Sequence, residues 1–178
     1  MTESGKTSLA KQMAAEYRAA GISVLVLDPL SDPDWSADYI TSDPVDFSRT
    51  FWDSQRCAVF IDEAGDAVGR YDEVMARTAT RGRHWGHNCH YITQRGMQLA
   101  VTVRDQCSHL FLFTTALNDS KTHANEWNQP ELVNASTLAQ GQYYHCTRFG
   151  DVTKNTLFIG DNTPHEDNDD EQVTTQTG

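Results

Sequence analysis

The chain has 178 residues, of which 38% are hydrophobic, and a formal charge of -11. That length suits one domain with a real core, no apolar stretch is long enough for a membrane span, and the N-terminus is too polar for a signal peptide. The acidic balance argues against a protein that coats nucleic acid over a broad surface, but leaves room for a ring that grips a backbone through a few loop residues.

The opening "MTESGKTSLAKQ" carries Gly5, Lys6 and Thr7, the last three positions of the phosphate-loop pattern G-x-x-x-x-G-K-[ST]. The first glycine of that pattern would fall one residue before Met1, and the strand that normally carries the loop would lie further upstream. Leu9, Met13 and Tyr17 recur every four residues and Gly21 follows, which predicts a helix running from the loop. In the functional reading, Ser4 to Ser8 bind phosphate, with Lys6 reaching the β- and γ-phosphates and the Thr7 hydroxyl on Mg²⁺. The plain alternative is a solvated helix capped by Ser4, since GKT on its own is weak evidence.

"ISVLVLD", Ile22 to Asp28, is a β-branched apolar run and predicts a buried strand. The acidic, proline-bearing stretch after it predicts a long connection with a short helix after Pro44. "CAVFIDEAGD" predicts a second buried strand, Cys57 to Ile61, ending in the carboxylate pair Asp62 and Glu63 about 55 residues after Lys6. Asp62 there could hold Mg²⁺ through its water shell and Glu63 could orient or deprotonate an attacking water; two solvated strand-end acids are the alternative.

"YDEVMARTATRGRHWG" predicts a helix that turns basic at its end, where Arg77, Arg81 and Arg83 gather. These guanidiniums could contact DNA, complete a neighbouring subunit's site, or simply be solvated. "NCHYITQRG" predicts a third strand ending at Gln94, placed to sense a γ-phosphate or to cap a loop. His84, His87 and His90 lack the spaced acid or cysteine ligands that a metal site needs.

A short helix over "LAVTVRDQC" and a strand over "HLFLFTT" follow. "GQYYHCTRFG" and "KNTLFIG" predict a hairpin at the sheet edge, turning at Gly150-Asp151. The four separated cysteines suit buried thiols. Residues 161–178 hold six of the 25 acids and no Lys or Arg, and predict an acidic, solvated tail. Apolar strands alternating with helices imply a mainly parallel sheet covered on both faces.

Taken in order, "ESGKTSLAKQMA", "VLVLD", "AVFIDEAGD", "RGRHWGHNCHYITQRG", "VRDQCSHLFLF" and "QYYHCTRFG" resemble the FtsK/HerA-type P-loop ATPases. Within these, the closest resemblance is to the compact genome-packaging ATPases of tailless and membrane-containing viruses. The resemblance spans residues 1–160 and implies a RecA-like three-layer α/β sandwich with a C-terminal hairpin. It implies a homo-oligomeric ring, commonly a hexamer, that uses ATP and Mg²⁺ to drive DNA, in infected-host cytoplasm or at a virion vertex beside capsid or membrane proteins.

Carried over by position, Lys6 and Thr7 match the Walker A lysine and hydroxyl, Asp62 and Glu63 the Walker B pair, and Gln94 the sensor. Arg81, Arg83, Arg95 and Arg104 are candidates for a trans-acting arginine, with Arg81 and Arg83 preferred. A filamentous-phage assembly ATPase and a non-catalytic P-loop-like protein are the competing functions.

In this fold the strand before the phosphate loop lies inside the sheet, between Asn88–Thr93 and His109–Thr114. Leaving its neighbours unpaired would cost on the order of 1–3 kcal/mol per buried group, against a total stability of ~5–15 kcal/mol. The expectation is therefore a misassigned start or a fragment, with a glycine-bearing strand upstream and ATPase activity only when that strand is present. A genuinely shortened, inactive form is the lesser alternative.

Overall fold

The computed structural model describes residues 4–62 and 70–157, without the side chains of 70–75. Helix α1, Lys6–Ala19, starts from Gly5 in the left-handed region (φ 100°) and ends where Gly21 turns the chain (φ 75°). Strand β1, Val24–Leu27, is buried along its whole length. The acidic connection that follows contains more structure than its prolines suggest. It holds a short edge strand, β2, Tyr39–Thr41, and helix α2, Pro44–Asp53. Asp43 caps α2 by accepting the Val45 N–H at 2.8 Å, and Pro44 takes the first helical turn, where no N–H is needed.

Strand β3, Ala58–Ile61, is also wholly buried. Helix α3, Arg70–Arg81, runs into a 3₁₀ turn over Gly82–Trp85 and then strand β4, Asn88–Tyr91. Helix α4, Val101–Gln106, leads to strand β5, His109–Phe113. Helix α5, Leu117–Trp127, and a 3₁₀ segment over Pro130–Thr137 precede strands β6, Gln142–Thr147, and β7, Thr153–Thr156.

The strands form two sheets. One is parallel in the order β2-β1-β3-β4, and the other is antiparallel in the order β5-β6-β7. Alternation along β1 and β3 sends Val24, Val26, Ala58 and Phe60 toward α1, with Ala10, Ala14 and Trp35. Leu25, Leu27, Val59 and Ile61 face the other way, onto Phe47 and Phe51 of α2 and Val103 of α4. Burial on both faces explains why these strands read as unbroken apolar runs. A third cluster joins Leu112 and Cys146 to Ala124, Trp127, Leu132 and Ala135.

Arg148 ties the second sheet to its helices. Its guanidinium donates to the carbonyls of Cys107 (3.1 Å), Glu126 (3.1 Å) and Arg104 (2.7 Å) and lies 4.1 Å from the Trp127 ring centre. The hairpin expected at the sheet edge is β6–β7, paired from Gln142↔Thr156 to His145↔Thr153. Among the described residues no helix is long and apolar enough to cross a membrane.

Phe60 is fully buried between Tyr17, Trp35 and His90. Phe60→Ala should cost about 3–5 kcal/mol, read as a lowered urea midpoint; a loss below ~1 kcal/mol would contradict this packing.

Candidate functional site

Parallel strands deliver their C-terminal ends to one edge of the sheet, and there the first predicted residues meet. Asp62 follows β3 directly; its amide donates to the Leu27 carbonyl at 2.9 Å, and the residue is only 6% exposed. Thr7, in the first turn of α1, donates its hydroxyl to Asp62 Oδ2 at 3.3 Å, across 55 residues of sequence. Lys6 Nζ donates to Ser4 Oγ at 2.9 Å, folding the ammonium back over the helix start. The Leu9 amide is the first to find a carbonyl within the turn, on Gly5, so the amides of Lys6, Thr7 and Ser8 precede the helical ladder. Ser8 itself is exposed.

Gly5 is required by geometry as well as by its pattern. A Cβ on it would sit 3.2 Å from Phe113 Cε1, in a left-handed backbone that other residues enter at a cost. The Ser4 carbonyl accepts the Gly141 amide at 3.2 Å, fixing the loop against the end of β5 and the start of β6.

A second carboxylate at the same edge escaped the sequence reading. Asp28, at the end of β1, is 1% exposed and accepts from the amides of Leu30 and Asp32 and from Trp35 Nε1. It is a structural knot, because all of its partners are donors of its own loop. The pattern D-x-L-x-D-x-x-W was the available signal. Lys11 then clamps Asp32 at 2.5 Å, and that bond holds the Asp32 carboxyl below its ordinary range.

Gln94 is exposed just beyond β4 and lines the same cavity as Lys6 and Thr93. Arg95 lies beside it and pairs with Asp119 at 3.7 Å. Glu63 lies outside the described residues. Arg81 and Arg83 are not brought to this edge. They lie at the end of α3 and in the turn that enters β4, so they sit at the opposite end of the strands from Thr7 and Asp62, and both are exposed. Arg83 donates to the Gln106 side chain.

Arg104, also a candidate arginine, is committed within the fold. It bonds the Leu99 carbonyl at 2.5 Å and Glu126 at 2.7 Å, with its side chain 13% exposed. The arginine-bearing edge also holds indoles that pack on one another. Trp52 and Trp85 meet edge to face at 5.0 Å, and Arg77 lies 5.7 Å from the Trp52 ring centre. Among the described residues no group of three or more His, Cys, Asp or Glu could hold a metal ion by itself.

No protein-family model and no curated protein matches the sequence. Solved structures do match in fold. The DNA-packaging ATPase B204 of Sulfolobus turreted icosahedral virus is 17% identical with a TM-score of 0.69, over 86% of this chain and 92% of that one. The genome packaging NTPase B204 from Sulfolobus turreted icosahedral virus 2, in complex with AMPPCP, is 18% identical with a TM-score of 0.70, over 88% and 93%. The same NTPase with ATP-gammaS is 19% identical with a TM-score of 0.67, over 86% and 92%. The chain therefore has the RecA-like P-loop NTPase sandwich of these structures, a mainly parallel sheet with additional antiparallel strands.

Several imidazoles are held neutral by burial. His87 accepts the Cys57 amide on Nδ1 and meets the Phe51 carbonyl through Nε2; burial lowers its pKa. Burial, then repulsion from His109, lowers His90 to about 4, and burial also lowers His123. In the unfolded chain these rings protonate near pH ~6.5, so between that pH and their folded values the unfolded state binds more protons. Stability is full above the unfolded pKa and is lost as pH falls through the window. Urea midpoints should drop between about pH 7.5 and about pH 5, and His90→Phe, which keeps the stack on Phe60, should remove part of the drop. An unchanged drop in that variant would contradict the role given to His90.

Proposed function

We propose that this chain is the ATPase subunit of a DNA-translocating motor, of the kind that packages a viral genome. The observation that carries the reading is the Thr7–Asp62 contact at 3.3 Å, which joins a phosphate-loop helix to the end of a buried strand in this fold. The nucleotide-bound and DNA-packaging neighbours supply the analogy for substrate and cargo.

The residues present fit a Mg²⁺–ATP complex. A hydroxyl and a carboxylate oxygen side by side are the hard donors this cation takes, and the start of α1 turns its first amides and the positive helix end toward phosphate. Thr7 and Asp62 would hold the cation, which would supply positive charge against the charge that develops on the phosphates. The protein's own residues do the rest. Lys6 exchanges its Ser4 contact for the β- and γ-phosphates. Asp62 holds the ion's water shell, and Thr7 orients it. Glu63 accepts a proton from the attacking water, and Gln94, one strand over, hydrogen-bonds that water or the γ-phosphate. Arg81 and Arg83 lie a strand length from the subunit's own Asp62, so they serve a neighbour's nucleotide across a ring interface, commonly of six copies, or the DNA. Capsid or membrane vertex proteins would anchor such a ring.

Lys6→Ala and Asp62→Asn should each lower ATP turnover by at least about 100-fold, and DNA should stimulate the unsubstituted protein. Unchanged turnover in Lys6→Ala would overturn the ATPase reading. ATPase activity indifferent to DNA would overturn the cargo.

A further inference from the structure

Helix α5 presents two different faces. Ala124 and Trp127 pack on Leu112 and Cys146 of the second sheet. Asp119, His123 and Glu126, spaced i, i+4 and i+7, fall on another face. That face grips residues 95–104, which lead from β4 into α4, at three points.

In the first turn of the helix, Asp119 pairs with Arg95 at 3.7 Å. Toward its end, Glu126 accepts from Arg104 at 2.7 Å, and Arg104 donates in turn to the Leu99 carbonyl. The middle contact is the tightest. Gly96 lies against the buried His123 ring, and a Cβ on it would sit 2.6 Å from both Cε1 and Nε2. No side chain tolerates that approach, so glycine is required here by proximity rather than by its φ angle.

Gln94 stands directly before this clamp. Thr93 Oγ1 accepts the Arg95 amide at 3.3 Å and donates to the Arg95 carbonyl at 3.1 Å, which closes the turn that carries Gln94. The Gln98 and Leu99 amides then donate to the carbonyls of Arg95 and Gly96, winding a 3₁₀ turn over Gly96–Gln98. On the other side, the Ile92 amide donates to the Ile61 carbonyl at 2.9 Å, so the approach to Gln94 is tied to the residue before Asp62.

We propose that His123 is a positioning residue for Gln94: by stopping Gly96, its ring sets how far Gln94 reaches toward the γ-phosphate and the attacking water. The inference rests on the ATPase reading and adds to it a residue that never touches nucleotide. Asp119 draws the neighbouring Arg95 onto α5, and Arg104 stiffens the far end of the segment. Gln94 acts on the reacting groups and not on the rest of the nucleotide, so loss of the ring slows the chemical step and leaves KM nearly unchanged.

Turnover is measured in the full chain and in Gln94→Ala, His123→Ala and the double variant. His123→Ala should lower kcat by about tenfold or more, with KM changed by less than about twofold, and should have no further effect in Gln94→Ala. Gly96→Ala should lower kcat as well, and its effect should be smaller in the His123→Ala background, where the added methyl group has room. A merely structural ring would lower the urea midpoint and the active fraction by the same factor in both Gln94 backgrounds. Equal factors in both backgrounds, or an unchanged kcat in His123→Ala, would overturn the proposal. Hydrogen exchange without nucleotide reads the restraint separately. The amides of Arg95, Gln98 and Leu99 should exchange about tenfold faster in His123→Ala, with those of Val24–Leu27 unchanged. That arm decides the restraint even if Lys6→Ala shows that the chain is no ATPase, and unaltered exchange at the three amides would overturn it.

Discussion

Backbone pairing is the constraint on which this molecule turns. A parallel sheet inside a three-layer sandwich has no water to satisfy its edges, so every central strand needs a neighbour on both sides. β1 and β3 have both, and they are the best-buried segments of the chain. Among the described residues β4 and β5 each have one, and a cavity lies between them. Helix α1 sits over that gap. α1 packs on β1 and β3 through Ala10 and Ala14, while its first residues touch the far side, through Gly5 on Phe113 and Ser4 on Gly141. The loop thereby spans the two half-sheets.

Much of this was legible in the sequence, and the reasons are specific. Four-residue strands such as Val24–Leu27 and Ala58–Ile61 announce themselves because burial on both faces leaves no polar position within them. α1 was readable from its spacing of Leu9, Met13 and Tyr17. The Thr7–Asp62 approach was readable because a strand-end acid and a loop hydroxyl share one edge in any parallel sheet of this kind.

Other parts depend on tertiary contacts that local pattern does not encode. β2 is a three-residue edge strand whose half-exposed Tyr39 and Thr41 carry no apolar signature. α5 lacks a capping side chain, and its inward face is made of Ser120, His123, Ala124 and Trp127, too polar to read as a stripe. Arg104 stood among the candidate arginines in the sequence, behind Arg81 and Arg83. Only the fold brings Glu126 and the Leu99 carbonyl to it, which makes it a brace. Asp28 shows the converse, a buried acid that resembles a site until its three N–H donors are counted.

The central claim is that the Lys6–Thr7–Asp62 edge binds Mg²⁺–ATP. Calorimetric titration of the chain with Mg²⁺ and a non-hydrolysable ATP analogue measures it directly. The account predicts saturable binding that disappears in Lys6→Ala. Binding that survives Lys6→Ala would contradict it.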